Sequence, residues 1–218
     1  MSPAARPATP AADEAGKMPQ AGAGTLGVWV FLATELMFFG PLLLGYFHGR
    51  LMLPQAFAAG SRHTEVWLGT ANTAILLTSS LCMALSVQLR KLGQQRGACW
   101  LLVATAFLGL AFLGIKGYEY SLEWGEHLFP GRHFAFDPAM AAGAQYFFYL
   151  YFALTGLHAL HLLLGISLVV LMATALARGH AEFARHERIE LLGLYWHFVD
   201  AIWIFLYPML YLVGRAGH

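Results

Sequence analysis

The chain has 218 residues, of which 58% are hydrophobic and only 11% are charged, and its mean hydropathy is +0.57. An ordinary soluble domain carries about 25% charged residues, so this composition excludes a typical water-soluble globule. Thirteen basic and 12 acidic residues leave a formal net charge of +1, which provides no large positive field for binding nucleic acid.

The N-terminal segment, residues 1–24, is rich in alanine and proline and carries a few mixed charges, a composition that predicts a disordered tail. It does not resemble a signal peptide, because the apolar run that follows is too long and holds Glu35 near its middle. Residues 25–218 are predicted to form one transmembrane domain.

Five apolar segments follow, each close to the ~20 residues that span a hydrocarbon core about 30 Å thick. They cover residues 26–47, 66–89, 98–115, 145–177 and 189–213. The sequence therefore predicts an all-α membrane protein, a bundle of five transmembrane helices. Pro41 and Pro208 lie inside two of these spans and are expected to kink them.

The basic residues of the loops predict the orientation. A cytoplasmic N-terminus places eight Lys and Arg residues on the cytoplasmic side and five on the other, the sign that the positive-inside rule requires. The larger set is Arg6, Lys17, Arg90, Lys91, Arg96, Arg178, Arg185 and Arg188. Because the number of spans is odd, the C-terminus is then periplasmic.

The longest predicted loop, residues 116–144, contains Glu119, Glu123 and Glu126. Their spacing of four and three places the three carboxylates on one face of any helix that continues the third span. We expect this face to be solvated, and a docking site for a basic partner is the alternative.

Glu35 lies about nine residues into the first span, and therefore about 14 Å below the surface at about 1.5 Å per residue. An unpaired charge at such a depth costs roughly 2.5 kcal/mol or more. Two interpretations stay open: a hydrogen-bonded structural acid, and an acid that handles protons or contacts a lipid headgroup.

Two histidines of the fourth span, His158 and His161, are three residues apart and lie on nearly one helix face, with Thr155 one turn earlier. A haem needs imidazoles on facing helices, which this spacing does not supply. Interhelical hydrogen bonding is therefore favoured over metal ligation for both histidines.

In the fifth span, His197 and Asp200 also share a face, next to a stripe that carries Trp196 and Trp203. An aspartate that accepts a hydrogen bond from the histidine would fix the tautomer and lower the cost of burying both groups. We therefore expect a structural His197–Asp200 pair.

No residue set in the sequence suits a redox centre. Cys82 and Cys99 have no CxxC companion, and the histidines do not form the crowded set that two haems and a copper ion require. We expect no catalytic residue and no metal or haem ligand in this chain.

Five strings of the sequence resemble subunit III of the haem-copper cytochrome c oxidases, and they occur in the same order. They are WVFLATELMFFGPLLLGYF, EVWLGTANTAILLTSS, FLGIKGYEYSLEW, TGLHALHLLLG and YWHFVDAIWIFLYPMLYL. The similarity extends over residues 27–214. The chain is most similar to the five-helix bacterial forms, which lack the first two of the seven helices found in larger members.

The resemblance implies a non-catalytic subunit of a proton-pumping oxidase in the bacterial inner membrane, acting in the respiratory chain during aerobic electron transport. Such a subunit supports the assembly, stability and proton uptake of the catalytic subunit I. Expected partners are oxidase subunits I and II and membrane lipids, and membership of a respiratory supercomplex stays open. Haem and copper are expected in the partner subunits, and phospholipid is a candidate ligand of this chain.

The resemblance also assigns positions. Glu35 matches the family's membrane-buried acid, which reacts with carbodiimides, and Glu119 matches the acid of its EY motif. The family's signature positions are occupied by His158, His161, Trp196, His197 and Asp200.

Other functions remain as alternatives. The accessory subunit of a nitric oxide reductase and the corresponding subunit of a quinol oxidase share the helix count and the TGLH and WH motifs. A free-standing transporter or proton channel would need an internal repeat or discontinuous helices, and neither is visible. Gly143, Gly156 and Gly165 are instead interpreted as close-packing points between helices.

Overall fold

A computed structural model describes residues 20–131, 134–180 and 184–215, and this part of the chain is helical without any strand. The helices are α1 (Gln20–Met52), α2 (Pro54–His63), α3 (Val66–Lys91), α4 (Gln95–Gly125), α5 (Ala141–Ala177) and α6 (His186–Tyr207). A π-helical turn, Pro208–Leu212, and a 3₁₀ turn, Val213–Arg215, follow α6. The predicted all-α class is confirmed.

Five of these elements are long and apolar enough to cross a membrane, as predicted: α1, α3, α4, α5, and α6 with its two terminal turns. Each helix runs beyond the apolar segment that predicted it. The largest difference is in α4, which continues to Gly125, so that the loop predicted from residue 116 begins only at Glu126. Helix α1 begins at Gln20, within the segment predicted as a tail, and residues 1–19 lie outside the described residues.

A common core is surrounded by helices α3, α4, α5 and α6. In this arrangement α4 and α6 lie diagonally opposite each other. Two fully buried tryptophans of α6 fill this core. The Trp203 ring meets that of Phe112 on α4 edge to face, with centroids 4.8 Å apart. Trp196 packs over Gly109, where an added Cβ would lie only 3.1 Å from the indole ring. The core is therefore held by aromatic packing, in which large rings fill space beside small residues.

Helix α1 lies outside this group of four and packs on α5 and α6. Its Phe31 ring lies 5.2 Å from the Tyr195 ring of α6, and the Tyr46 hydroxyl donates a hydrogen bond to the carbonyl of Met209. Pro41 is inside α1, whereas Pro208 follows the last α-helical residue of α6. Proline has no N–H to continue the α-helical ladder, and here the helix changes to a π-helical turn at that residue.

The short helix α2 was not predicted, because its ten residues are too few and too polar for a span. Pro54 occupies its first turn, where a missing N–H costs nothing. The helix packs on α5 through Gly60, where an added Cβ would lie 2.6 Å from the Phe147 ring. At its other end, the Arg215 guanidinium donates hydrogen bonds to the carbonyls of Ser61, Arg62 and Thr64.

Candidate functional site

In the described part of the membrane-spanning helices, the polar residues singled out from the sequence belong mainly to three groups of side chains. The first is a pair, Glu35 and His161, which joins α1 to α5. The second, the Lys116 cluster, consists of Lys116, Glu119, Tyr151 and Tyr211. The third, the α3–α6 group, consists of Ser80, His197 and Asp200.

Glu35 is buried, and its Oε2 lies 2.8 Å from Nε2 of His161. The other ring nitrogen, Nδ1, lies 2.8 Å from the carbonyl oxygen of Leu157, which can only accept, so Nδ1 carries a proton. With one further proton between Nε2 and the carboxyl group, the pair would be neutral in total, which lowers the cost of burying it in the bilayer.

His158 does not behave like His161. Its ring packs between Phe112 and Trp203, and neither ring nitrogen has a hydrogen-bond partner in the described part of the chain. The predicted interhelical hydrogen bond is therefore wrong for His158, whereas His161 does contact a second helix. Three residues rotate an α-helix by about 300°, so the two rings point about 60° apart, one to the core and the other to α1.

The Lys116 cluster lies where α4, α5 and the turn after α6 meet. The Lys116 ammonium donates to Glu119 Oε2 (3.0 Å) and to the hydroxyls of Tyr151 (2.7 Å) and Tyr211 (2.5 Å). Both hydroxyls in turn donate to Glu119 Oε1, at 2.8 and 2.7 Å. All three ammonium protons and both carboxylate oxygens have partners, which is the condition under which a buried ion pair is tolerated.

The three glutamates predicted to lie on a solvated face are in different environments. Glu119 is buried in the cluster, Glu123 is also buried but neither of its oxygens has a described partner, and Glu126 is exposed. The prediction is thus wrong for two of the three, because the face of α4 that carries Glu119 is covered by Tyr151 of α5 and Tyr211 of the turn after α6 and not by solvent. Lys116, three residues before Glu119 in an apolar segment, was the available signal for this cluster.

In the α3–α6 group, His197 Nδ1 lies 2.7 Å from the Ser80 hydroxyl of α3. Asp200 is buried beside Ser80, and neither of its oxygens makes a hydrogen bond to the described residues. The expected His197–Asp200 pair is therefore not formed. The two side chains diverge by about 60° for the same helical reason, so His197 lies at the outer edge of the bundle and Asp200 lies inside.

Of the three glycines interpreted as close-packing points, two are confirmed. A Cβ at Gly143 would lie 2.5 Å from that of Ala56, and one at Gly165 would lie 3.1 Å from the Tyr195 ring. Gly156 is less crowded, since the nearest atom to its Cβ position is the Tyr120 hydroxyl at 3.9 Å.

Two grooves flank α6 on opposite sides. The α1–α6 groove, about 460 Å³, is lined by apolar side chains such as Leu36, Phe39 and Phe205, with Glu35 in its wall. The α3–α6 groove is smaller, about 190 Å³, and more polar, with Gln88, Glu190 and His197 among its lining residues. Within residues 20–131, 134–180 and 184–215, no three His, Cys, Asp or Glu side chains lie together as a metal site requires.

Comparison with known proteins gives a match over nearly the whole chain. The family model for cytochrome c oxidase subunit III matches residues 16–215. Cytochrome c oxidase subunit 3 of Thermostichus vulcanus is 32% identical over 192 residues, which cover 87% of this chain and 87% of the relative.

Two further relatives have other names. Quinol oxidase subunit 3 of Bacillus spizizenii is 28% identical and is matched over 88% of each chain. A haem-copper oxidase subunit I+III of Aeropyrum pernix is 30% identical over 85% of this chain, which corresponds to 22% of that longer protein.

Proposed function

The chain belongs to the cytochrome c oxidase subunit III family, and from this premise we propose that it is the non-catalytic subunit III of a proton-pumping cytochrome c oxidase. In this role it supports the assembly, stability and proton uptake of the catalytic subunit in aerobic respiration. The observation that carries the proposal is the match to the family over residues 16–215, which includes all five spanning helices.

The proposed partners are oxidase subunits I and II, which would hold the haem and copper. A single polypeptide named haem-copper oxidase subunit I+III contains a region similar to most of this chain, which favours subunit I as the direct partner. The proposed location is a bacterial inner membrane, with the N-terminus in the cytoplasm and the C-terminus in the periplasm. The distribution of loop Lys and Arg residues supports this orientation.

The α1–α6 groove is proposed to hold a phospholipid acyl chain. Its lining is almost entirely apolar and it opens to the surface of the bundle, as a lipid-binding groove requires. Replacing Ala201, which lines the groove, by Trp should reduce the phospholipid retained by the purified complex, measured by native mass spectrometry. Leu110→Trp, on the exposed face of α4, serves as the control. Equal lipid content in both variants would contradict the assignment.

A quinol oxidase is the second candidate, because the relative from Bacillus spizizenii carries that name and is matched over 88% of its length. The two candidates differ in their electron donor. The complex isolated through a tag on this chain should consume oxygen when given reduced cytochrome c. Oxygen uptake with a reduced quinol but not with cytochrome c would instead establish the quinol oxidase.

A further inference from the structure

The carboxyl group of Glu123 is buried in the last turn of α4, which ends at Gly125, and only 4% of the residue is exposed. Neither of its oxygens makes a hydrogen bond to the described residues. A buried carboxylate without hydrogen bonds is costly, so the protonation state of this group depends on what its neighbours can donate.

The Lys116 cluster borders Glu123 but has no proton left for it. The three ammonium protons go to Glu119 Oε2 and to the hydroxyls of Tyr151 and Tyr211. Both hydroxyl protons go to Glu119 Oε1. The Tyr151 hydroxyl lies beside the Glu123 carboxyl group, and since its proton is used, it can only accept a hydrogen bond there.

The next hydroxyl on α4, that of Tyr120, is committed as well. It lies 2.6 Å from Thr155 Oγ1, and Thr155 Oγ1 donates its own proton to the carbonyl of Tyr151. The Tyr120 hydroxyl must therefore donate to Thr155. These three tyrosines leave Glu123 facing oxygen lone pairs, which repel a carboxylate and accept from a carboxylic acid.

The charges around Glu123 favour the neutral form too. Its cationic neighbour is Lys116, whose charge is already balanced by the Glu119 carboxylate, and Glu126 is a further acid on the same helix. An ionised Glu123 would add a second negative charge to a buried group that is neutral without it. Such an uncompensated charge is strongly unfavourable inside a bundle.

A route for a proton to reach Glu123 lies close by. Glu126 is exposed and is three residues further along α4, about 4.5 Å along the axis at about 1.5 Å per residue. It lines a pocket of about 340 Å³ together with two other titratable side chains, His63 and Asp137. Glu123 is thus shielded from solvent but is only one helical turn from groups that can exchange protons with water.

We infer that Glu123 is a proton-binding site of the folded subunit. Its carboxyl group holds one proton, donates it in a hydrogen bond to the Tyr151 hydroxyl, and exchanges it with the aqueous phase beside Glu126. The ligand of this site is the proton alone, and every group that forms the site belongs to this chain.

Infrared spectroscopy of the purified complex tests the site, because the carbonyl stretch of a protonated carboxyl group is separate from the bands of a carboxylate. Spectra at neutral pH are compared between the unchanged protein and Glu123→Gln, both isolated through a tag on this chain. Glutamine has the shape of the protonated acid, carries no charge and can donate from its amide to Tyr151. Glu126→Gln, at an exposed position, is the control.

We expect Glu123→Gln to lose one protonated-carboxyl band, which in the unchanged protein shifts to lower frequency in D₂O, and to leave the thermal unfolding midpoint nearly unchanged. Glu126→Gln should keep the band. If Glu123→Gln loses no such band, Glu123 is ionised and the inference is overturned. A band that does not shift in D₂O would overturn the exchange with water. Failure of Glu123→Gln to assemble would show that a negative charge is required at this position, which also contradicts a protonated acid.

Discussion

The carboxyl group of Glu35 and the imidazole of His161 each depend on the other, because Oε2 of Glu35 and Nε2 of His161 lie 2.8 Å apart within a bilayer span. Removing one partner leaves a buried polar group without its contact, which costs about 1–3 kcal/mol. We therefore expect Glu35→Leu and His161→Leu each to lower the thermal unfolding midpoint of the complex in detergent. The decrease in the midpoint for the double variant should be smaller than the sum of the decreases for the two single variants.

The double-mutant cycle is decisive for this pair, because additive losses would show that the two side chains act independently. Thr34→Leu is the matched control on α1, since its hydroxyl bonds only within its own helix and its side chain is exposed. The control should leave the midpoint nearly unchanged.

The folded subunit should depend more strongly on Lys116, because its buried ammonium group is hydrogen-bonded to Glu119, Tyr151 and Tyr211. Replacing Lys116 by Met leaves the buried Glu119 carboxylate without its cationic partner. Breaking a buried ion pair in this way costs about 3–5 kcal/mol. Lys116→Met should therefore sharply reduce the yield of folded subunit, whereas Lys91→Met, at an exposed position, should not. Lys116→Met combined with Glu119→Leu should recover part of the loss, and no recovery would contradict the pairing.

At the residue scale, the sequence predicts which polar residues lie inside the membrane spans, but it does not always predict the partners of these residues. Glu35, His161 and His197 are identified by their apolar surroundings alone. Their contacts, His161 with Glu35 and His197 with Ser80, depend on helix rotation and neighbour order. Asp200 was assigned to His197 by spacing, and a rotation of about 60° separates them. Tyr151 and Tyr211 give no local signal, because their role depends on where α5 and the turn after α6 meet.

At the scale of elements, the contact of α2 with α5 depends on the absence of a side chain at Gly143. An added Cβ would lie 2.5 Å from that of Ala56, a distance that requires the helices to separate. Gly143→Ala should therefore destabilise the subunit by about 1–3 kcal/mol through overpacking. Gly117→Ala, where nothing lies within 4 Å, should be neutral or slightly stabilising.

Hydrogen exchange of the amides in residues 54–63 is the appropriate measurement for Gly143→Ala. Exchange in α2 should become faster in this variant and stay unchanged in Gly117→Ala. An unchanged rate in both would contradict this dependence on Gly143 and would mean that α2 is held mainly by its other contacts, the packing of Gly60 on Phe147 and the hydrogen bonds from Arg215.

The five spans could be predicted from length and hydropathy because a hydrocarbon core requires about 20 apolar residues from each helix. Length and hydropathy could not predict where α4 ends or that α2 exists. Helix α4 continues past the apolar run because Lys116 and Glu119 neutralise each other inside the bundle. Helix α2 is stabilised by α5 and by Arg215, both distant in sequence.

For the whole molecule, the proposed orientation puts the α3–α4 turn in the cytoplasm and the α4–α5 loop in the periplasm. Single cysteines at Gln94 and Pro138 test it, in a variant whose natural Cys82 and Cys99 are replaced by Ser. A membrane-impermeant maleimide added to spheroplasts should label position 138 and not position 94. The reverse pattern would contradict the positive-inside assignment.

The chain belongs to a family of haem-copper oxidase subunits, and we propose that it holds no redox centre itself. The most direct test is to purify the chain through a tag in mild detergent, identify its companions by mass spectrometry, and then dissociate the complex and record the visible spectrum of the separated chain. We predict that oxidase subunits I and II accompany the chain and that the separated chain shows no haem band. A chain that purifies alone, or that retains stoichiometric haem after separation, would contradict the account.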